Sequence, residues 1–311
     1  MTPPWLEKSI EHLNAALSAS RLPHALMIHE APGAGGEWLA HWLAAKVLGS
    51  REGVQHPDLV VIQPVEDSKQ IRIEQVRELS DELSLTSHQG GYKVGILSPA
   101  DTLNRFAANA LLKTLEEPSA RTLLVLVLTQ PSRLPATILS RCQRLTIQAP
   151  SRAQSVAWLE AHHQGEAKVD WNTVLDVVGD APLLAAKVDA GAVAQFGIEV
   201  RRALDEAVAG HLDPVATAER WSKSEPALRL ACFETWVTDR IRKHGLSMEM
   251  RSGAHLSSTQ EVLNIRDLFG LLDGVRGLKS TLDTPINRSL ALESLLRRLQ
   301  PRRASGVARP R

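Results

Sequence analysis

Cysteine is nearly absent from this chain, with only Cys142 and Cys232 among 311 residues. Two thiols cannot build a disulfide framework or a four-thiolate zinc site, which excludes a cysteine-rich metal module and makes a reducing cytoplasm the expected compartment. Aromatic residues are scarce too, at 4%, and no stretch interleaves them with Lys or Arg as a single-strand stacking surface requires. A dedicated nucleic-acid reader is therefore not expected. No run approaches the roughly 18 consecutive apolar residues of a membrane span. Glu7 and Glu11 stand among the first hydrophobics, where a secretion signal would have a basic flank and an apolar block, so neither span nor leader is predicted. A strong excess of one charge is also missing, since 36 basic and 35 acidic groups leave +1. The placement is uneven: residues 297–311 hold six arginines and no acid, which leaves the body mildly acidic at about −5.

What is present is ordinary globular composition, 43% apolar and 23% charged. The length predicts two or three domains of about 150 residues or less, each able to bury a core. Leu6, Ile10, Leu13 and Leu17 recur at helical spacing, and a short apolar run at 24–29 follows them. That run ends in Ala31-Pro32-Gly33-Ala34-Gly35-Gly36, after which Leu39, Trp42, Leu43 and Val47 mark an amphipathic helix. Further strand-like runs lie at 59–62, 94–97, 123–128 and 145–147, separated by helical stretches at 73–83 and 105–117. Strands alternating with helices predict an α/β core with a parallel sheet covered on both faces.

Beyond Pro150 no strand pattern recurs and the chain reads as all-helical. Ser151 and Gln154 make a capping box, and Gly179 punctuates a helix starting near Asp170. Gly191 is expected to close a small unit, and a larger helical domain to run from about Gly197 to Leu299. Its last helix is expected to open at Pro285 and to bury Leu292, Leu295, Leu296 and Leu299 as one stripe. The tryptophans, including Trp38, Trp42 and Trp236, fit buried helix faces.

The glycine turn has the outline of a phosphate loop without its chemistry. Such a loop needs a Lys for the β/γ oxygens and a Ser or Thr for Mg²⁺. Here Gly36 and Glu37 take those positions behind Gly33 and Gly35, and Glu30 takes the leading glycine position. The strand at 94–97 should end in carboxylates that organise Mg²⁺ and the attacking water. It ends in Ser98-Pro99. His162-His163 lacks a partner at ligand spacing, so no metal site is predicted.

The segment Ala108-Asn109-Ala110-Leu111-Leu112-Lys113-Thr114-Leu115-Glu116-Glu117-Pro118 closely resembles the clamp-loader branch of the AAA+ ATPases. Ile138-Leu139-Ser140-Arg141-Cys142 is similar to that branch's Ser-Arg-Cys signature. Arg21 to Leu26, His56-Pro57-Asp58 and residues 71–78 follow in the expected order, so the resemblance covers most of residues 15–150. An intact Ser-Arg-Cys beside eroded nucleotide motifs is similar to the non-hydrolysing subunit type of that branch, as is Ile286-Asn287-Arg288-Ser289-Leu290. Such chains commonly carry a four-cysteine zinc module. Residues 48–53 here form a short loop without cysteine, so zinc binding is not inherited.

The resemblance implies an AAA+ core at 1–150, a small helical lid at 151–195, a helical collar at 196–300 and a basic tail at 301–311. It implies a stator without ATPase activity of its own, within the polymerase holoenzyme of a replicating bacterium. ATP and Mg would be held in neighbouring subunits. Arg141 would act in trans as an arginine finger, with Ser140, Cys142, Glu116 and Glu117 at the interface. The implied partners are ATPase subunits of the gamma/tau type and the delta subunit, with the sliding clamp and primed DNA reached through the complex and no membrane involved. Two rival readings stand beside this one. An active ATPase with an unconventional loop is opposed by the missing Lys and carboxylates, and a DNA adaptor acting through the basic tail by the aromatic-poor, acidic body. By itself Cys142 reads as a small buried hydrophobe.

Overall fold

The computed structural model describes residues 2–51, 54–65, 68–88, 90–163, 169–251, 263–282, 284 and 286–301. The basic tail beyond Pro301 and Pro285 itself lie outside the described residues. The chain divides into two compact units, one of Met1–His162 with Ala181–Leu183, the other of His163–Asp180 with Leu184–Arg311.

In the first unit, helix α1 (Glu7–Ser18) leads into strand β1 (Ala25–His29), then α2 (Gly36–Leu48), β2 (Leu59–Ile62), α3 (Ile73–Ser84) and β3 (Lys93–Leu97). Then come α4 (Arg105–Glu116), β4 (Thr122–Leu128), the single-turn α5 (Ala136–Leu139), β5 (Gln143–Thr146) and α6 (Arg152–His162). The strands form one parallel sheet in the order β2, β3, β4, β1, β5. Its inner strands are apolar runs because both faces are covered. Strand alternation divides their side chains: Met27, Leu124 and Leu126 meet Val76, Leu79 and Leu83 of α3 and Leu111 and Leu115 of α4. Leu26, Ile28, Val125 and Val127 meet Leu13 of α1 and Leu39 and Leu43 of α2. This three-layer arrangement sets the β1–α2 turn and the ends of β3 and β4 at the same, carboxyl edge of the sheet.

The predicted strands all form, each within two residues of its expected start. The capping box forms as well: Gln154 N–H donates to Ser151 Oγ at 3.3 Å, and Ser151 N–H to Gln154 Oε1 at 2.9 Å.

The second unit is helical: α7 (Trp171–Val178), α9 (Ala190–Val208), α10 (Pro214–Lys223), α11 (Pro226–Arg251), α12 (Ile265–Ser280) and α13 (Arg288–Leu299), with the one-turn α8 (Pro182–Ala185) between α7 and α9 in sequence. Gly179 ends α7 at φ 76°, as its position predicts. Two expectations need correction. Gly191 does not close a unit, because Asp189 accepts the Ala192 N–H and starts α9 two residues earlier. The expected 195/196 junction therefore falls inside a continuous helix. The last helix begins at Arg288, where the Asn287 side chain accepts the Leu290 N–H and caps it, and not at the position expected from the sequence. Its predicted stripe of Leu292, Leu295, Leu296 and Leu299 is buried beside Trp221, Phe233 and Leu271.

Glu234 of α11 is half-buried and joins α12 through Arg276 Nε at 2.8 Å and Lys279 Nζ at 3.1 Å. Burial alone would raise its carboxyl, yet the two cationic hydrogen bonds hold it below the ordinary glutamate range. A depressed carboxyl stabilises the fold above its unfolded value, near 4.5, and loses that contribution as the pH falls through the lower folded value. Because Arg276 is more than half exposed, the pair is worth about 0.5–1 kcal/mol. Glu234→Gln is thus expected to lower neutral-pH stability by about that amount and to reduce the loss on acidification. Urea denaturation at pH 7 and pH 4 tests this; identical pH slopes for both proteins would reject it.

Candidate functional site

The turn after β1 puts the amides of Gly35 and Gly36 at the amino end of α2, where unpaired N–H groups and the helix dipole favour an anion. Gly35 has φ 109°, a conformation that requires glycine here. The anion is supplied from within. Glu30, one residue beyond β1, accepts both the Gly35 and the Gly36 N–H on Oε2 at 2.7 Å. Its side chain is 9% exposed. Burial pushes its carboxyl up from the usual range, while the amide hydrogen bonds oppose that shift.

The rest of the loop is held just as closely. Trp5 Nε1–H donates to the Ala34 carbonyl at 2.7 Å, and Leu183 N–H to the Gly33 carbonyl at 3.3 Å. Ala181 lies so near that a Cβ on Gly33 would fall 2.4 Å from its own Cβ. Glu37 accepts Gln63 Nε2–H at 2.8 Å, so this carboxylate is tied to the segment following β2.

At the end of β3, Ser98 is buried, and the nearby carboxylate is Asp101, three residues on. Asp101 Oδ2 accepts Thr129 N–H at 3.2 Å, Thr129 Oγ1–H at 3.0 Å and Gln130 N–H at 2.9 Å. It binds the end of β4 to the segment after β3. The residues present do not fit a magnesium triphosphate: no cation stands at the lysine position, and the loop amides already carry a carboxylate.

Arg141 lies on the opposite side of β1 in sheet order, just before β5, at the end of the short α5. Its side chain is 37% exposed, pairs with Glu116 of α4 through Nη2 at 2.7 Å, and donates through Nη1 to the Thr137 carbonyl at 2.9 Å. Ser140 Oγ–H also donates to Thr137 O, at 3.1 Å. Cys142 is buried, and desolvation pushes its thiol up to about 11, so it is a packed neutral group at neutral pH. Glu116 and Glu117 are both exposed at the end of α4. The structure thus joins Arg141 to Glu116, a pairing that no sequence spacing indicates.

His56-Pro57-Asp58 is a structural joint. Buried Asp58 accepts Ser87 Oγ–H at 3.0 Å and His88 N–H at 2.9 Å. His162 Nδ1 lies 2.7 Å from the Trp158 carbonyl, and His163 packs edge-on to Trp171. Among the described residues no group of three potential metal ligands occurs, and no helix is long and apolar enough to cross a membrane.

A five-stranded parallel sheet with a glycine turn after its first strand in chain order, followed by a helical unit, is an α/β core of the AAA+ type with a helical C-terminal part. The fold is shared with a DNA polymerase III gamma subunit-related protein from Thermotoga maritima at TM-score 0.54 and 19% identity, over 91% of this chain and 97% of that one. The family profile described as "DNA polymerase III, delta subunit" matches residues 5–151. DNA polymerase III subunit delta' of Pseudomonas aeruginosa is 33% identical over 235 residues, covering 70% of this chain and 72% of that protein. The Escherichia coli subunit of the same name is 29% identical, over 99% of this chain and 98% of that one. The chain belongs to the delta' subunit family of DNA polymerase III.

Proposed function

We propose that this chain is a non-hydrolysing stator of a clamp loader, which joins ATPase subunits of the gamma/tau type and a delta subunit and offers Arg141 to a neighbour's ATP. The observation that carries this reading is the contrast between two regions of one sheet. The glycine turn lacks a cation and is filled by Glu30, whereas the Arg141 side chain is exposed and its two terminal nitrogens are oriented by Thr137 and Glu116.

The chemistry follows from charge. In phosphoryl transfer, negative charge spreads over the transferring oxygens and a guanidinium placed there stabilises the transition state. Arginine suits this task because its planar fork keeps several donors in fixed directions. Glu116 and Thr137 each take one donor, on Nη2 and Nη1, which orients the fork; each of these nitrogens has a second N–H with which to meet a neighbour's phosphate. The motor would sit in the partner, which supplies ATP and Mg. Within this scheme the C-terminal helices are the surface of assembly, with α9 running unbroken from the expected lid into the expected collar.

The test is reconstitution. Mixed with its cognate gamma/tau and delta subunits, the chain is expected to co-elute in one complex with fixed stoichiometry on size-exclusion chromatography with light scattering. Separate elution at micromolar concentration would reject the assignment.

A further inference from the structure

We propose that Glu30 is a built-in ligand of the glycine turn: a carboxylate seated where a phosphate oxygen would sit, which keeps the loop and the start of α2 folded without nucleotide. Three observations support this. A single oxygen of Glu30 takes both free amides at 2.7 Å, the spacing of charge-assisted hydrogen bonds. The carboxylate is buried, so these two donors stand in for lost water. The fit is also close from the other side. A Cβ on Gly36 would lie 2.7 Å from Glu30 Cδ, so the absence of a side chain at 36 is what admits the carboxylate.

The sequence positions make the exchange intelligible. Glu30 stands where a phosphate loop has its leading glycine, and Gly36 stands where it has lysine. A lysine would bring a second charge to an external phosphate; the glycine makes room for an internal acid instead. Trp5, Ala181 and Leu183 fasten the loop's outer side, so the acid completes a closed structure. The loop amides are then saturated from within, and an external oxyanion can take them only when Glu30 is removed. This inference rests on the reading of the turn as a degenerate phosphate loop. It is independent of assembly and of Arg141, so its failure is distinguishable from theirs.

The experiment uses the full chain and inorganic pyrophosphate as the probe, with sodium chloride matched for ionic strength. Wild-type protein is expected to show no change of Tm with pyrophosphate up to millimolar concentration. Glu30→Ala is expected to melt about 5 °C lower, as loss of a buried, charge-assisted pair of bonds implies, and to regain part of that with pyrophosphate but not with chloride. Glu30→Gln, which keeps an acceptor in the seat, is expected to lose less and to stay unresponsive. A Glu30→Ala protein with wild-type Tm, or one that ignores pyrophosphate, overturns the proposal. Should that variant not fold, the wild-type chain decides the matter by amide NMR. Gly35 and Gly36 N–H protons that exchange slowly, with shifts unmoved by pyrophosphate or magnesium ADP, support the internal ligand. Fast exchange, or a shift that saturates below millimolar ligand, overturns it.

Discussion

Replacing Arg141 by alanine is expected to slow clamp- and DNA-stimulated ATP turnover of the assembled loader by about tenfold, while leaving the chain folded and incorporated. Arginine fingers contribute roughly 10³–10⁵ in turnover in small GTPases, and a loader with several ATP sites dilutes the loss of one finger in a bulk rate. Stability should change little, because the Arg141–Glu116 pair is exposed on both sides and such pairs are worth about 0–1 kcal/mol. This separation matters: a drop in turnover at unchanged Tm and stoichiometry locates the effect in the reaction. Arg141→Lys should recover little, since an ammonium cannot bond Thr137, Glu116 and a phosphate with one planar fork. Steady-state turnover at saturating ATP, with each variant in the complex, is the measurement. Rates within twofold of wild type for Arg141→Ala would reject the finger.

The second large effect is expected in the helical unit. Phe233 is fully buried between α11 and its neighbours and meets Trp236 edge-on at 6.3 Å between ring centroids. Phe233→Ala removes a ring from a core that includes Trp221, Leu271 and Leu296 and leaves a cavity, for a cost of about 3–5 kcal/mol. If that unit carries assembly, the same variant should be lost from the complex at a temperature where the wild type is retained. Equilibrium denaturation and co-elution test the two statements separately. A cost below about 1 kcal/mol would mean that the ring is not part of a close-packed core.

The α/β part was legible because its signals are local. Parallel strands buried on both faces read as short apolar runs, and the amphipathic helices between them repeat at their own period. Ser151 with Gln154 is readable as a helix start, since a cap acts within three residues of its own position. Gly191 reads as punctuation, although the stronger nearby signal, Asp189, caps a helix that runs through it. A proline likewise reads as a helix opener at 285, whereas the cap of the last helix is Asn287.

The site was legible as absences and illegible as contacts. Gly36, Glu37, Ser98 and Pro99 could be read as missing chemistry because each stands at a fixed offset in a motif. Glu30 stands at an odd position for such a motif, yet its purpose depends on a carboxylate folding back onto amides five and six residues later. An acid at the leading position, followed by two glycines at the loop's far end, is the signal that could have revealed it. Asp101 lies three residues beyond the motif position at the end of β3, and its partners, Thr129 and Gln130, arrive only through the β3–β4 pairing. The Arg141–Glu116 pair joins residues from two elements by tertiary packing, and no periodicity carries that information.

The most direct measurement pairs ATP turnover by the purified chain with clamp loading onto primed DNA by the complex. Loaders are assembled with the wild-type chain, with Arg141→Ala, or without it. The chain alone is predicted to hydrolyse no ATP above background, and loading is predicted to be fast with wild type, slowed with Arg141→Ala and lost without the chain. Turnover of about 1 per second by the purified chain, well within the usual enzymatic range, or loading that proceeds equally without it, would contradict the account.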